Sequence, residues 1–217
     1  MALKRKHLPE SRSKKETEQR KPVGLRIIGG QLRGRKLEYS GEMSVRPMKD
    51  RLREAVFNLL GPDIKGKQAI DLFAGTGALG LEAMSRGAVG ATFIERHYPT
   101  ADVLNRNIAT LGLTDQSQVI TSDTFFWWHS TPPLSTTPWV VFCSPPYAFY
   151  IDRSADMLHL ITTMLAQAPT GSLFMVESDL QFDAALLPTP NGWDVRAYSW
   201  AQLAKIEKTE PTPLNQI

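Results

Sequence analysis

The stretch Asp71-Leu-Phe-Ala-Gly75-Thr-Gly77-Ala-Leu-Gly80 decides the predicted fold of this chain of 217 residues. An apolar run ends at Asp71, and three glycines then follow at the spacing Gly-x-Gly-x-x-Gly before a helix-like segment. Glycines at such a turn let the backbone approach a ligand, and the last of them allows the helix to pack closely on the sheet. The stretch therefore predicts a cofactor-binding turn between a first buried strand and the next helix.

Beyond this turn, apolar strand-like runs alternate with helix-like segments along the rest of the chain. The predicted strands cover residues 68–73, 90–95, 117–121, 138–143, 171–177, 195–200 and 202–208. The predicted helices cover residues 78–86, 98–111, 123–129 and 153–167. Such alternation indicates an α/β fold with a mostly parallel sheet that is covered by helices on both faces, and the last two strands are predicted to close it as an antiparallel hairpin.

The front of the chain differs from the rest in charge. Residues 1–53 hold 16 Lys and Arg against 6 Asp and Glu, a balance of +10, whereas residues 54–217 have a balance of −7. This asymmetry favours a polyanionic partner, because basic side chains neutralise phosphates and release counterions; a merely solvated tail or helix face is the alternative. The candidate RNA-binding residues are Arg33, Arg35, Lys36, Arg46, Lys49 and Arg51.

The pattern of this front region predicts two small elements ahead of the main domain. Residues 25–28 and 34–39 read as the two strands of a β-hairpin, and residues 48–60 have the period of an amphipathic helix. We therefore divide the chain into a flexible basic tail over residues 1–24, a hairpin-and-helix extension over 25–62, and the main α/β domain over 63–210.

Three carboxylates are placed to line the cofactor site. Asp71 ends the first predicted strand, Glu95 ends the second one 20 residues after Gly75, and Asp123 follows the third. Because ligands of such sheets bind at the carboxyl ends of the strands, Glu95 could accept both hydroxyls of a ribose and Asp123 an adenine amine. The candidate cofactor-binding residues are Asp71, Phe73, Gly75, Gly77, Glu95 and Asp123.

The same spacing also fits a dinucleotide fingerprint, so an NAD-dependent oxidoreductase is an open alternative. Asp71 separates the two interpretations, because a carboxylate would face the pyrophosphate of a dinucleotide unfavourably. A sulfonium cofactor with an amino-acid tail suits that carboxylate instead. S-adenosylmethionine is therefore the predicted cofactor.

A second motif, Ser144-Pro145-Pro146-Tyr147, follows another apolar run at the same edge of the sheet. Two prolines remove two backbone donors and fix the turn, which leaves the carbonyls of residues 144 and 145 for a substrate amine. Tyr147 can stack on a base that has been flipped out of its helix. We take Ser144, Pro145, Pro146 and Tyr147 as the candidate catalytic residues, and we expect Asp71, Glu95 and Ser144 to converge on one cavity.

Together these segments resemble a known family. Leu25–Leu37 (LRIIGGQLRGRKL), Val45–Leu60 (VRPMKDRLREAVFNLL) and Asp71–Glu82 are similar to the RsmD-type bacterial 16S ribosomal RNA guanine-N2 methyltransferases. The resemblance implies a Rossmann-like, seven-stranded class I methyltransferase fold, S-adenosylmethionine as methyl donor, and the N2 amine of a guanine as acceptor. It also implies a cytoplasmic enzyme whose partner is 16S ribosomal RNA in the small ribosomal subunit or an assembly intermediate.

One position departs from the family pattern, which has an acid, usually Asp, where this chain has Ser144. A carboxylate accepts a hydrogen bond from an amine more strongly than a neutral hydroxyl does. Two alternatives therefore stay open. One is a catalytically weakened RNA-binding or assembly homologue, and the other is a methyltransferase for a different base amine, cytosine N4 or adenine N6.

Composition excludes several other classes of protein. No apolar run of about eighteen residues offers a membrane span, and residues 1–22 lack the apolar segment of a secretory signal. The single cysteine and four histidines show no ligand spacing, so we expect no metal site and no internal disulfide. We expect a cytoplasmic monomer.

Overall fold

The computed structural model describes residues 24–39, 48–130, 135–189 and 192–209. Its strands are β1 (Gln68–Asp71), β2 (Gly90–Ile94), β3 (Ser117–Ile120), β4 (Trp139–Cys143), β5 (Leu173–Ser178), β6 (Asp194–Ala197) and β7 (Gln202–Glu207). Its helices are α1 (Asp50–Leu60), α2 (Ala78–Ser85), α3 (Tyr98–Leu111), α4 (Thr124–Ser130), α5 (Phe149–Asp152) and α6 (Ser154–Gln167). The predicted tail over residues 1–24 falls outside the described residues except for Gly24, and Arg46 lies outside them too.

The seven strands form one sheet in the order β3-β2-β1-β4-β5-β7-β6. The strands β1 to β5 are parallel to one another, while β7 runs antiparallel to both β5 and β6. The order reverses between β1 and β4, which is where a doubly wound sheet opens a crevice at its carboxyl edge. The predicted α/β fold and the antiparallel closing pair are therefore confirmed.

Two hydrophobic clusters cover the two faces of the sheet. Along β4, Val140 and Phe142 belong to a cluster shared with α1, α2 and α3, whereas Val141 and Cys143 belong to a cluster shared with α4 and α6. This alternation follows from the period of two in a strand, and burial on both faces explains why the central strands read as continuous apolar runs. The sheet edge that carries the strand ends is thus held rigidly between two helical layers.

The basic hairpin is present as a single antiparallel bridge between Arg26 and Lys36. Leu25, Ile27 and Leu37 are buried in the same hydrophobic cluster as α1, α2 and α3. The hairpin therefore packs on the helical layer of the sheet instead of standing apart from it.

Several boundaries differ from the sequence prediction. β1 stops at Asp71, two residues short of the predicted end, because the chain turns there. Residues 61–64 add a 3-10 turn after α1, with Pro62 in its first turn, where a proline is tolerated. The predicted strand 195–200 is β6 at Asp194–Ala197, and the four-residue helix α5 was not predicted, because one helical turn is too short to show a hydrophobic period.

Candidate functional site

A cavity of about 500 Å³ opens at the carboxyl ends of β1, β2, β4 and β5. Its wall includes Asp71, Glu95 and Ser144, which come from three different strand ends. The predicted convergence of these residues on one cavity is confirmed, while their roles stay predictions. Other predicted residues in the wall are Phe73, Gly75, Asp123, Pro145, Pro146, Tyr147 and Lys49.

The glycine turn shapes the floor of this cavity. Gly75 and Gly77 have φ angles of 51° and 76°, in the left-handed region that favours glycine. A Cβ atom on Gly77 would lie 2.2 Å from Leu104 Cδ1, and one on Gly80 would lie 2.3 Å from Phe93 Cε1. The turn therefore requires glycine both for its conformation and for its close approach to α3, and Gly80 lets α2 pack against β2 as predicted.

Asp71 is the most deeply buried carboxylate of the cavity, with 1% of its surface exposed. Its Oδ2 accepts a hydrogen bond from the Gly80 N–H at 3.1 Å, whereas Oδ1 has no hydrogen-bond partner among the described residues. Burial, together with the nearby Glu95 carboxylate, raises the pKa of Asp71 to about 7 against the opposing effects of the Gly80 and Phe73 N–H groups. The ionised form of the Asp71 carboxylate would be stabilised by a nearby cation.

Glu95 ties the glycine turn to the second strand. Its Oε2 accepts from the Gly75 N–H at 2.8 Å, and its Oε1 accepts from the His97 N–H at 2.7 Å. Each carboxylate oxygen has a second lone pair, so both can still accept from a pair of ribose hydroxyls. Glu95 therefore orders the glycine turn, and the ligand-binding role predicted for it stays a prediction.

Asp123 lies in the wall, with its carboxylate bound to groups of the protein. Oδ1 accepts from the N–H groups of Phe125 and Phe126 at 3.0 and 3.2 Å, as a cap of α4, and Oδ2 lies 3.3 Å from Arg153. The sequence analysis did not foresee either contact. The adenine contact assigned to Asp123 stays a prediction, and it would have to use the remaining lone pairs.

An aromatic wall adjoins Asp123. The ring of Phe73 meets those of Phe125 and Phe149 edge-on, with centroids about 6 Å apart. The Arg153 guanidinium lies 3.8 Å from the Phe125 centroid and Arg96 lies 5.7 Å from that of Phe149. This wall offers apolar surface to a flat purine, and sequence analysis anticipated only Phe73 because Phe149 follows no strand.

The Ser-Pro-Pro-Tyr motif is anchored by a carboxylate that sequence analysis missed. Ser144 Oγ donates to Glu177 Oε2, and Tyr147 OH donates to Glu177 Oε1 at 2.7 Å. The backbone carbonyl of Glu177 accepts from Tyr150 OH at 2.9 Å. Glu177 lies near the end of the buried run of β5, as Glu95 follows that of β2, so the rule that found Glu95 could have found it.

Cys143 directly precedes this motif and is buried. Burial raises the pKa of its thiol to about 12, and the neighbouring Tyr150 is likewise buried with its phenol pKa raised. Burial and the raised pKa both disfavour the thiolate, so Cys143 has the properties of a structural residue and not of a nucleophile.

The rim above the motif is formed by the start of α1. Lys49 lies in the cavity wall beside Met48 and Leu52, and its Nζ is 4.0 Å from the ring centroid of Trp200. Trp200 comes from the turn between β6 and β7 and is 40% exposed. A cation and an exposed aromatic ring thus stand together at the cavity mouth, while Arg51 is exposed on α1.

The other predicted RNA-binding residues lie elsewhere. The hairpin bonds to the carboxyl end of α2, where Gln31 N–H donates to Ser85 O at 2.8 Å, whereas the cavity lies at the amino end of that helix. Arg35 donates to the Thr110 carbonyl near the end of α3 at 2.8 Å. Arg33, Arg35 and Lys36 therefore lie on the hairpin at the carboxyl end of α2 and are not part of the cavity wall.

Two kinds of feature are absent from the described residues. None of the helices within the described ranges is long and apolar enough to cross a membrane. Nor do those ranges bring together three or more His, Cys, Asp or Glu side chains that could hold a metal ion.

Comparisons with known proteins identify relatives that agree with one another. The family model described as conserved hypothetical protein 95 matches residues 25–196. Ribosomal RNA small subunit methyltransferase D of Escherichia coli K12 is 44% identical over 123 residues, 57% of this chain and 60% of that protein. The protein of the same name from Haemophilus influenzae is 34% identical over 169 residues, 78% of this chain and 84% of that protein.

The solved structure of the Escherichia coli protein yhhF has a TM-score of 0.69 and 33% sequence identity. The similarity covers 86% of this chain and 99% of yhhF. The chain thus spans nearly the whole of that structure, although its sequence match covers less than two thirds of the Escherichia coli K12 methyltransferase.

Proposed function

This chain belongs to the conserved hypothetical protein 95 family, the RsmD-type family, and on that premise we propose that it transfers a methyl group from S-adenosylmethionine to guanine N2 in 16S ribosomal RNA. Its fold is that of the class I methyltransferases. The observation that carries the proposal is the single cavity in which Asp71 and Glu95 face the Ser144 motif. One half of the cavity suits the donor, and the other half suits a base.

The donor half fits S-adenosylmethionine by its own chemistry. The partnerless Oδ1 of Asp71 is a buried acceptor that a cationic amino-acid moiety would complete. Glu95 would hold the ribose, and the aromatic wall with Phe73 would take the adenine. The left-handed glycine turn leaves room for the ligand where a side chain would fill it.

In the acceptor half, the chain's residues hold and orient a base amine. Ser144 Oγ and the Pro145 carbonyl would accept from the amine protons and direct its lone pair, while Tyr147 would stack on the flipped base. When bound, S-adenosylmethionine would supply an electrophilic methyl group, the sulfonium–methyl bond would break with a neutral thioether as leaving group, and the methylated amine would lose one proton to water. Most of the rate then comes from alignment of the amine in this cavity, which needs no strong base.

The RNA would reach the cavity over the rim at Lys49, with Arg51 and the hairpin residues placed for phosphates farther along. Small-subunit RNA, free or in an assembly intermediate, is the proposed partner. We further propose that the protein acts as a monomer in the cytoplasm.

The NAD-dependent alternative is disfavoured by topology. A dinucleotide-binding sheet has the strand order 3-2-1-4-5-6, whereas here the antiparallel β7 lies between β5 and β6. The buried Asp71 also lies where a pyrophosphate would approach the turn.

Mapping the modified base tests the proposed function. Undermethylated small ribosomal subunits are incubated with isotope-labelled S-adenosylmethionine and the protein, and the RNA is analysed by mass spectrometry. We expect label on the N2 of a single guanine. Label on cytosine N4 or adenine N6 would assign a different acceptor, and RNA that binds the protein without gaining label would favour the catalytically silent homologue.

A further inference from the structure

Glu177 is a buried carboxylate of the cavity wall that the proposed mechanism has not used. It is 7% exposed and lies on β5, next to β4, the strand that Ser144 follows. Its side chain contacts the two hydroxyl groups of the acceptor half and none of the donor-side residues Asp71 and Glu95. Its effect should therefore fall on the base and not on the donor.

The hydrogen bonds fix the direction of two protons. A carboxylate can only accept, so the hydroxyl protons of Ser144 and Tyr147 both point at Glu177, one to each oxygen. Each hydroxyl has a single proton. Ser144 Oγ can consequently present only lone pairs to the cavity, and Tyr147 is held in place without a proton to offer.

Base edges differ in how they match such a site. Guanine presents two adjacent donors, N1–H and the N2 amine, whereas adenine and cytosine present one amine beside an unprotonated ring nitrogen that needs a donor. A cavity edge that offers acceptors and no hydroxyl proton satisfies the guanine pair. It leaves the ring nitrogen of the other bases without a partner, which is costly in a buried site.

We propose that Glu177 is a positioning residue that selects guanine. Because it accepts the hydroxyl protons of Ser144 and Tyr147, the base-binding half of the cavity is a site for groups that donate hydrogen bonds. The inference rests on the proposed function and gives it a structural basis for base choice. It also accounts for serine at position 144, because a hydroxyl that donates to a carboxylate is polarised and becomes a stronger acceptor for the amine.

The test compares two RNA substrates that differ at the edge of the target base. In one, the target is guanine; in the other it is 2-aminopurine, which keeps the 2-amino group but lacks N1–H and the 6-oxo group, so that N1 becomes an acceptor. We expect wild-type kcat/KM to be roughly 10- to 100-fold higher for guanine, since one buried bond is left unmade with 2-aminopurine. This ratio requires no mutation and so does not depend on the folding of a variant.

Glu177→Gln is the matched change, because its amide nitrogen must donate to one hydroxyl and so releases that hydroxyl's proton into the cavity. We expect the guanine preference to fall to within about threefold, with kcat/KM for guanine reduced roughly 10-fold or more. The dissociation constant for S-adenosylmethionine should change less than about twofold, which also reports an intact fold. Glu207→Gln, an exposed carboxamide exchange on β7, is the control and should leave all values unchanged.

The outcomes separate the two proposals. Wild-type protein that labels guanine RNA without preferring it over 2-aminopurine overturns the role of Glu177 alone, as does a Glu177→Gln variant that keeps the full preference. Wild-type protein that labels neither RNA overturns the proposed function and, with it, this inference.

Discussion

Asp71 combines full burial with a carboxylate oxygen that lacks a partner among the described residues. Its pKa is raised from an ordinary value near 3.8 to about 7. Because the folded protein holds this proton more tightly than the unfolded chain, its contribution to stability is present below about pH 4 and is lost as the pH rises to about 7. A cationic donor would reverse that loss by stabilising the ionised form.

We therefore predict that the affinity for S-adenosylmethionine rises with pH from 6 to 8, and that the donor raises Tm more at pH 8 than at pH 6. Asp71→Asn keeps an acceptor for the Gly80 N–H but removes the charge, so affinity at pH 8 should fall roughly 10- to 150-fold and lose its pH dependence. Calorimetry at both pH values measures this. Equal affinities of variant and wild type for S-adenosylmethionine at pH 8 would show that Asp71 does not contact the cationic group of the donor.

At the scale of elements, the turn from β1 into α2 is the part of the site that glycine alone can build. Gly77 combines a φ of 76° with a close approach to Leu104, whereas Gly112 at the end of α3 has a φ of 72° and nothing within 4 Å of an added Cβ. Substitution of alanine at Gly77 and at Gly112 therefore distinguishes the cost of backbone strain from the cost of a steric collision.

We predict that Gly112→Ala lowers the free energy of unfolding by about 1–2 kcal/mol, from left-handed strain alone. Gly77→Ala should lower it by about 2–4 kcal/mol, because the collision with Leu104 is added, and should also weaken donor binding. Denaturant unfolding of both variants provides the measurement. If the two losses are equal, the packing of α3 against the turn is not what fixes glycine at position 77.

The hairpin allows a separate test of the RNA path. Its arginines lie at the far end of α2 from the cavity, so they would contact phosphates distant from the target base. We predict that the double change Arg33→Glu with Arg35→Glu lowers RNA affinity and reduces the slope of log K against log salt by about 2, with donor affinity unchanged. Arg196→Glu on β6 reverses one exposed charge away from the hairpin and is the control for each single reversal, Arg33→Glu or Arg35→Glu, measured alone. An unaltered slope would remove the hairpin from the RNA surface.

Helices and strands could be predicted from the sequence where burial of one or both faces produced a clear pattern of apolar residues. The central strands are buried on both faces and gave continuous apolar runs, and α3 was predicted at residues 98–111, the bounds it has in the structure. Contacts between elements left no such signal. The bonds from Ser144 and Tyr147 to Glu177 depend on which strands become neighbours, and spacing along the chain does not state that. The cap that Asp123 makes on α4 is local, and an Asp at the start of a predicted helix could have indicated it.

At the scale of the whole molecule, the strand order brings the ends of β1, β2, β4 and β5 to one edge and so unites residues more than 100 positions apart in sequence. The charge asymmetry of the chain has a structural counterpart at Lys49, where the basic front region reaches the cavity mouth. The proposed donor site, the proposed base site and part of the proposed RNA surface therefore adjoin.

The most direct measurement of this account is a crystal structure of the protein with S-adenosylhomocysteine and guanosine bound. We predict the amino-acid moiety at Asp71, the ribose hydroxyls at Glu95, and the guanine N2 within hydrogen-bond distance of Ser144 Oγ with the base against Tyr147. A ligand bound outside this cavity, or a guanine whose N2 points away from Ser144, would contradict it.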